Sequence, residues 1–428
     1  MKKSVYLGVI ALATLSLTSC LKDEVVESIP QNDAIEFGTY LGRDVSTRGT
    51  VWDTEAMEAD GAGFGVFAFY TGQTAWASSN IAPNFMYNQQ VTWDATANNG
   101  AGAWVYNPKK YWPATKAVTA DAADKITFFA YAPMATDNNG MTVSAKSDNG
   151  TPTVTYEITA GNLDNMADFV ADAVIDKTKT VEDISTDGLD DEAEPVTFTL
   201  LHELTRVNIQ AKLSVDAFSS TDGNVANKTK VNIKDIRVVG PTGFMKATYT
   251  FANTNDVTST SPVTLKRGSW AFDSNASNEF SIFDGNSSQN LIADAEASGL
   301  GNYKVKGVSV PTTAVVSVFN SNKYLFLIPV NGETGVADGS KVYFDIDYDI
   351  VTADASLNAT YSCTPAKKRI ELPAGTLQQG VAYNFILTFG LNEVTLSASV
   401  AEWNTPDATS TPPTELGEDV DYDDTDNN

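Results

Sequence analysis

The sequence has few of the residues that most enzymes use for chemistry. It holds one histidine, His202, and two cysteines, Cys20 and Cys363, among 428 residues. A single histidine without a usable cysteine cannot build a zinc site or a cysteine–histidine pair. No nucleophile-elbow, phosphate-loop or dinucleotide motif stands before a helical pattern. We therefore predict that the protein is not an enzyme, that it needs no cofactor or metal, and that His202 has a structural role.

Basic residues are scarce as well. There are 28 lysines and arginines against 54 aspartates and glutamates, which gives a net charge of -26. A surface of that sign repels phosphate backbones and anionic lipid headgroups. Nucleic acid is therefore excluded as an expected partner, and the charge mainly favours solubility.

No apolar run is long enough to span a bilayer, which takes about 20 residues in a helix. The longest such run, residues 5–17, follows Lys2 and Lys3 and leads to the sequence Leu-Thr-Ser before Cys20. This arrangement predicts a cleaved export signal over residues 1–19, and the Cys20 context resembles a lipobox, in which the thiol receives lipid. A chance cysteine at the end of an ordinary signal is the alternative. With Cys20 lipidated, Cys363 has no disulfide partner, so stability must come from packing.

Strand-like patterns dominate the rest of the chain. Aromatic and β-branched residues alternate with polar ones, and glycine, asparagine and proline separate the runs. We predict an all-β fold with two tandem β-sandwich domains and long loops in the second. The predicted segments are a tether and first strand at 20–48, an N-terminal sandwich at 49–190, a C-terminal sandwich at 191–405 and a disordered acidic tail at 406–428.

Acidic clusters raise the question of calcium binding. Asp345, Asp347 and Asp349 alternate along a strand pattern, so we expect them on one solvated face, without the glycine and closing glutamate of an EF-hand loop. The acidic stretch at 187–194 is a loop that can wrap an ion more easily. Calcium binding there stays open.

A short polar stretch after the first strand pattern is suited to proteolysis. Arg43 and Arg48 flank it and Gly49 follows, which is the kind of exposed backbone that a protease can enter.

Taken in order, several motifs resemble those of the fimbrillins and fimbrillin-like (Mfa-like) lipoproteins of type V pili. The resemblance covers residues 1–405. Its elements are the lipobox at Cys20, the strand at 35–40 followed by Thr47 and Arg48, and the segments at 64–68, 87–91, 104–106, 110–113, 128–133, 201–207, 380–385 and 394–403.

The resemblance implies both a fold and a mechanism. The fold is two transthyretin-like β-sandwich domains. The lipoprotein reaches the cell surface, Cys20 is the lipid site, and a trypsin-like protease cuts after Arg48, with Arg43 as the fallback. The strand that carries Ile35 and Phe37 then leaves, and a strand from another pilin subunit fills the groove and builds an adhesive fimbrium.

One departure bears on the role within such a fibre. The chain runs about 25 residues beyond Trp403 with prolines and many acids, which makes a poor donor strand and favours a tip, accessory or anchor subunit over a stalk subunit. The alternative function is a monomeric surface lipoprotein of the outer membrane that binds glycan or a host protein through its loops. Most of the seven tryptophans and sixteen tyrosines are expected in the core.

Overall fold

The fold is seen in a computed structural model of the chain. It describes residues 34–41, 57–59, 62–113, 123–136, 138–161, 163–179, 194–214, 229–254, 266–283, 302–310, 314–320, 323–330, 340–390 and 393–401. Within these ranges, no helix is long and apolar enough to cross a membrane.

Strands account for nearly all the regular structure. Those of the first half are β1 (Phe37–Leu41), β2 (Phe64–Gly72), β3 (Met86–Asp94), β4 (Ala103–Val105), β5 (Lys125–Ala132), β6 (Met141–Val143), β7 (Thr153–Glu157), β8 (Val170–Lys177), β9 (Val196–His202) and β10 (Thr205–Leu213). Those of the second half are β11 (Thr229–Val239), β12 (Lys246–Thr250), β13 (Ser269–Phe272), β14 (Glu279–Ser281), β15 (Val308–Val310), β16 (Val316–Ser317), β17 (Leu325–Leu327), β18 (Tyr343–Ala353), β19 (Tyr361–Glu371), β20 (Ala382–Phe389) and β21 (Val394–Ala401). Single helical turns lie at Trp76–Ser78, Ala97–Gly100 and Leu163–Asn165, and residues 57–58 are helical as well.

The first sandwich packs a seven-stranded sheet on a four-stranded one. The larger sheet has the order β1-β9-β8-β5-β2-β3-β4, and the smaller one the order β13-β12-β7-β6. Aromatic rings join them, with Phe129 and Phe251 centred 5.4 Å apart and Phe169 and Tyr249 5.0 Å apart.

The larger sheet is buried on both faces, which explains why its strand β2 has a continuous run of buried residues. Residues 64–69 of β2 are all buried, and alternation sends successive side chains to opposite faces. Phe67 and Phe69 point to the smaller sheet, whereas Phe64 and Val66 point to a second core that also contains Ile35 and Phe37. The first strand therefore packs into this second core, on the face of the larger sheet that points away from the smaller sheet.

The second sandwich is formed by two five-stranded sheets. One has the order β16-β10-β20-β21 with β17 also on β10, and the other has the order β14-β11-β18-β19 with β15 also on β11. Rings again meet between them, at 5.5 Å for Phe344 and Phe385 and at 5.0 Å for Tyr348 and Phe389. The predicted all-β fold is confirmed.

The strands of the first sandwich come from both sides of residue 190. Strand β9 pairs with β1 and β8, and strand β12 pairs with β7. Residues 250–320, within the domain for which long loops were predicted, contain β13 to β16. The division into 49–190 and 191–405 stays a prediction about domains, and the pairing shows which strands each sheet contains.

Candidate functional site: the seat of the first strand

The first segment, defined as residues 34–41, lies between two other parts of the chain. On one side, β1 pairs in parallel with β9, from Phe37 opposite Val196 to Leu41 opposite Leu200. At its start, Ala34 bridges Tyr111 in antiparallel fashion, and the Ile35 N–H donates to the Lys110 carbonyl over 2.8 Å. We call the surface that receives this segment the seat; it comprises β9, residues 110–111 and the aromatic side chains beneath them.

Two side chains of the first segment are deeply buried. Ile35 is 0% exposed and Phe37 is 6% exposed, while Glu36 between them faces solvent. Four rings surround Phe37, with centroids at 5.3 Å for Tyr106, 5.8 Å for Phe198, 6.0 Å for Phe128 and 6.2 Å for Phe64. Burial of the two apolar side chains contributes about 1.5 to 3 kcal/mol each.

A tyrosine hydroxyl connects the backbones on the two sides of the seat. Tyr106 donates its hydroxyl to the Ile35 carbonyl at 2.8 Å and accepts the Lys110 N–H at 3.2 Å. Burial raises the pKa of this phenol, so it remains a neutral donor. A polar group within an apolar core needs such partners, since an unpaired one costs about 1 to 3 kcal/mol.

Sequence reasoning named Ile35 and Phe37 but not the rings that receive them. Phe64, Phe128 and Phe198 lie on β2, β5 and β9, far apart in the chain. The available signal was alternation, which places one aromatic residue of each strand on a common face. Alternation alone does not predict the order of strands in the sheet, which decides which aromatic rings meet.

The predicted lipid and cleavage residues lie outside the described residues. These are Cys20, Arg43 and Arg48. The described first segment ends at Leu41, two residues before Arg43 in the sequence. The roles of all three stay predictions, as does the release of the strand that carries Ile35 and Phe37.

His202 lies where the chain passes from one sandwich to the other. It ends β9, and its Nδ1 is 3.1 Å from Oδ1 of the buried Asp168. Glu203 follows, 1% exposed, with the Arg267 guanidinium 3.7 Å from its Oε2 and Gln379 bonded to the same oxygen.

This junction holds Glu203 in an environment that disfavours charge. Burial raises the pKa of its carboxyl to about 7, opposed by Arg267 and by hydrogen bonds from Gln379 and Tyr249. The Trp270 indole donates to the Glu203 carbonyl at 2.8 Å, and Tyr249 accepts the Gly268 N–H at 2.9 Å. The cluster binds elements of both sandwiches together.

The alternating aspartates of β18 share one face, as expected, but that face is not fully solvated. Arg369 pairs with Asp345 at 2.6 Å, and Lys234 pairs with Asp347 at 3.2 Å and with Asp349 at 2.7 Å. Asp349 is buried beneath Tyr303, whose hydroxyl donates to it at 2.8 Å. Lysine and arginine thus neutralise these carboxylates.

Metal ligands do not gather in the described ranges. No group of three or more histidine, cysteine or acidic side chains there is placed to hold an ion. The stretch at 187–194, where calcium binding was left open, falls outside those ranges except for Glu194.

The described strands define an all-β protein of two sandwiches, whose first segment packs into the second core of the first sandwich. The crystal structure of a fimbrial protein from Bacteroides vulgatus ATCC 8482 is similar, with a TM-score of 0.61 and 25% identity, and the match covers 87% of this chain and 100% of that one.

Sequence comparison agrees over most of the chain. Fimbrium subunit Fim1C of Phocaeicola vulgatus is 28% identical over 411 residues, which covers 92% of this chain and 94% of that relative. No family model matches the chain. The resemblance to fimbrillin-like proteins that the motifs predicted is confirmed.

Proposed function

We propose that the protein is a structural or accessory subunit of a cell-surface pilus or fimbria that supports adhesion. Assembly begins when a protease removes the first segment, and a strand from another pilin subunit then occupies the seat. Similarity to a fimbrium subunit over most of the chain supports the coarse role and a non-enzymatic one. The finer mechanism is supported by one observation: the first segment fills a core that other strands surround.

Removal of the first segment has defined physical consequences. The β9 edge loses its parallel neighbour, and the Lys110 carbonyl loses the Ile35 N–H. The rings around Phe37 meet water, so an exposed groove lies beside two unpaired backbone edges. Such a surface takes up an extended strand, whose backbone gives affinity and whose alternate side chains give specificity.

The remaining parts of the proposal concern the cellular location of the protein and its partners. Lipid on Cys20 anchors the precursor in the outer membrane, cleavage after Arg48 releases the lipid with the first segment, and Arg43 is the second choice of cut site. The partners are other pilin subunits, in a polymer of one kind or of several, and host proteins or glycans are the targets of the assembled fibre.

The alternative, a monomeric lipoprotein that binds glycan through exposed aromatic residues, has less support. Trp76, Trp104, Trp112 and Trp270 are buried, and Tyr70 and Tyr111 are the large aromatic side chains exposed among the described residues. Glycan binding by uncut monomer that is lost on replacing Tyr111, which is 52% exposed, would favour this alternative.

The test is mass spectrometry of protein sheared from native cells, combined with an assembly assay. We expect an N-terminus at Gly49 without lipid, and polymers or copurified pilins. A protein cut after Arg48 that stays monomeric at high concentration and captures no other pilin contradicts the proposal.

Two arginine variants form a matched pair for that test. Arg48→Gln is expected to keep the lipidated precursor uncut and unassembled, whereas Arg43→Gln is processed normally. The reverse result makes Arg43 the cut site, and normal assembly of an uncut double variant rules out the proteolytic mechanism.

A further inference from the structure

We propose that the seat selects its incoming strand by sequence. The incoming segment has the sequence pattern aliphatic, any residue, aromatic, glycine, and it lies parallel to β9. It comes from a subunit other than a second copy of this chain. This inference rests on the proposed function, because it names the partner of the same seat.

The aromatic position is the most demanding. Phe37 lies among four rings, stacked on Phe198 with an interplanar angle of 25° and edge to face with Phe64 at 81°. A planar side chain keeps these contacts, whereas a smaller one leaves a cavity among rigid rings.

The aliphatic position is set by burial and by two backbone bonds. Ile35 is 0% exposed, its N–H donates to the Lys110 carbonyl, and its carbonyl accepts the Tyr106 hydroxyl. These bonds fix the depth at which the strand enters, so a side chain in register with Ile35 must be apolar. Glu36 faces solvent, which leaves the next position unrestricted.

The glycine position follows from space on the β9 side. A Cβ at Gly38 would lie 3.1 Å from the Thr197 Oγ1, closer than ordinary contact. Because Gly38 lies directly opposite Thr197 in the parallel register, a single Cβ there already requires the Thr197 hydroxyl to shift by a few tenths of an ångström, and a branched side chain requires a larger shift.

The alignment is fixed by the parallel ladder. The Val196 N–H donates to the Glu36 carbonyl at 2.8 Å, one step before Phe37 pairs with Val196. A strand shifted by one residue turns its apolar side chains to solvent.

A second copy of this chain does not present the pattern in an available strand. Outside the first segment it occurs at 62–65 and at 387–390. The former leads into β2, which pairs with β3 and β5, and the latter ends β20, which pairs with β10 and β21. Residues 401–404 read Ala-Glu-Trp-Asn, which has an aromatic residue at the third position but asparagine in place of the glycine and only alanine in place of Ile35.

The test is a competition for the seat in the full chain. Residues 43–48 are replaced by the recognition sequence of a specific protease, and the protein is cut so that all its segments remain present. It is then unfolded in urea and refolded with an isotope-labelled peptide of residues 33–42 and one competitor, and native mass spectrometry counts which peptide is retained.

The competitors separate the positions of the seat. Glu36→Gln is the control and is expected to compete within about twofold. Phe37→Ala is expected to be on the order of 100-fold weaker and Gly38→Val roughly tenfold weaker. A peptide of residues 397–408 is also expected to be on the order of 100-fold weaker, because it underfills the Ile35 position and crowds Thr197.

Each outcome bears on a distinct claim. Retention of all peptides within about threefold of one another would contradict sequence selection while leaving the proposed function intact. Retention of the 397–408 peptide as strongly as the labelled one overturns the assignment to another subunit. Failure of both the labelled peptide and the chain's own released first segment to be retained contradicts the proposed function and this inference with it.

Discussion

The first and the last described strands are both edge strands, yet they are held in different ways. Strand β1 pairs with β9 over five residues in parallel, and its segment buries Ile35 and Phe37 in an aromatic core. Strand β21 pairs with β20 over eight residues in antiparallel fashion, but its far end is open, with Val400 44% exposed. The attachment of β1 therefore relies on two deeply buried side chains, whereas that of β21 combines a longer backbone ladder with one buried side chain, Val394, and the partly buried Leu396 and Ala398.

This difference explains why β1, though shorter, is the better candidate for exchange. Loss of β21 removes a ladder from one edge, which water can partly replace, together with the contacts of one buried side chain, Val394, and of the partly buried Leu396 and Ala398. Loss of β1 opens an apolar core, which water cannot satisfy and which another strand can. The largest effect on stability is therefore expected from a substitution at Phe37.

Phe37→Ala is expected to lower the free energy of unfolding of the uncut protein by about 3 to 5 kcal/mol. The reason is the cavity left among the Phe64, Tyr106, Phe128 and Phe198 rings. Urea denaturation measures the change, and Phe37→Leu, which refills part of the space, should recover much of it. A loss below about 1 kcal/mol would mean that Phe37 is not held by this core.

The second prediction concerns Glu203, which connects the strand that holds β1 with the segment before the strand that holds β21. It follows β9, the neighbour of β1, and bonds to Gln379, which precedes β20, the neighbour of β21. Its pKa rises from 4.5 to about 7 in the folded protein, so between those values the folded state binds more protons than the unfolded chain. The stabilisation is present below the unfolded pKa and is lost as pH rises through about 7.

We expect titration of Glu203 to lower the free energy of unfolding by roughly 3 kcal/mol as the pH rises from acidic to neutral. Urea denaturation at several pH values, compared between the wild type and Glu203→Gln, isolates that slope. Glu157→Gln is the control, because Glu157 is an exposed partner of Lys246 at 2.9 Å. An unchanged pH dependence in Glu203→Gln would show that the pKa of this carboxyl is not raised in the folded protein.

The sequence predicted the fold class well, because alternation and turn residues are local signals. It also predicted a short strand with Ile35 and Phe37 on one face; both side chains are buried, although β1 itself begins at Phe37. It could not predict that β9 and β12 join the first sandwich, since strand order depends on contacts between distant residues. For the same reason, the polar junction of Glu203, Arg267 and Gln379 was missed, and Asp349 was expected in solvent although Tyr303 covers it.

Tyr106→Phe is expected to have a smaller effect than Phe37→Ala and to act on β1 alone. The ring remains, but the Ile35 carbonyl and the Lys110 N–H lose their shared partner, which costs roughly 1 to 3 kcal/mol. Hydrogen exchange should show faster exchange of the Ile35 amide with the β20–β21 ladder unchanged. Tyr343→Phe, at a half-buried tyrosine of β18 beside Arg369, is the control, and equal loosening of β1 and β21 would contradict the assignment.

The smallest effect is expected at the other edge strand. Val400→Ala removes apolar surface that is already 44% exposed, so the free energy of unfolding should change by no more than about 0.5 kcal/mol. Urea denaturation beside Phe37→Ala gives the two values under one set of conditions. Because the ladder to β20 is formed by backbone atoms, truncating this side chain leaves it intact. A loss comparable with that at Phe37 would mean that the exposed end of β21 is also held by its side chains, and the contrast between the two edges would then no longer favour β1 as the candidate for exchange.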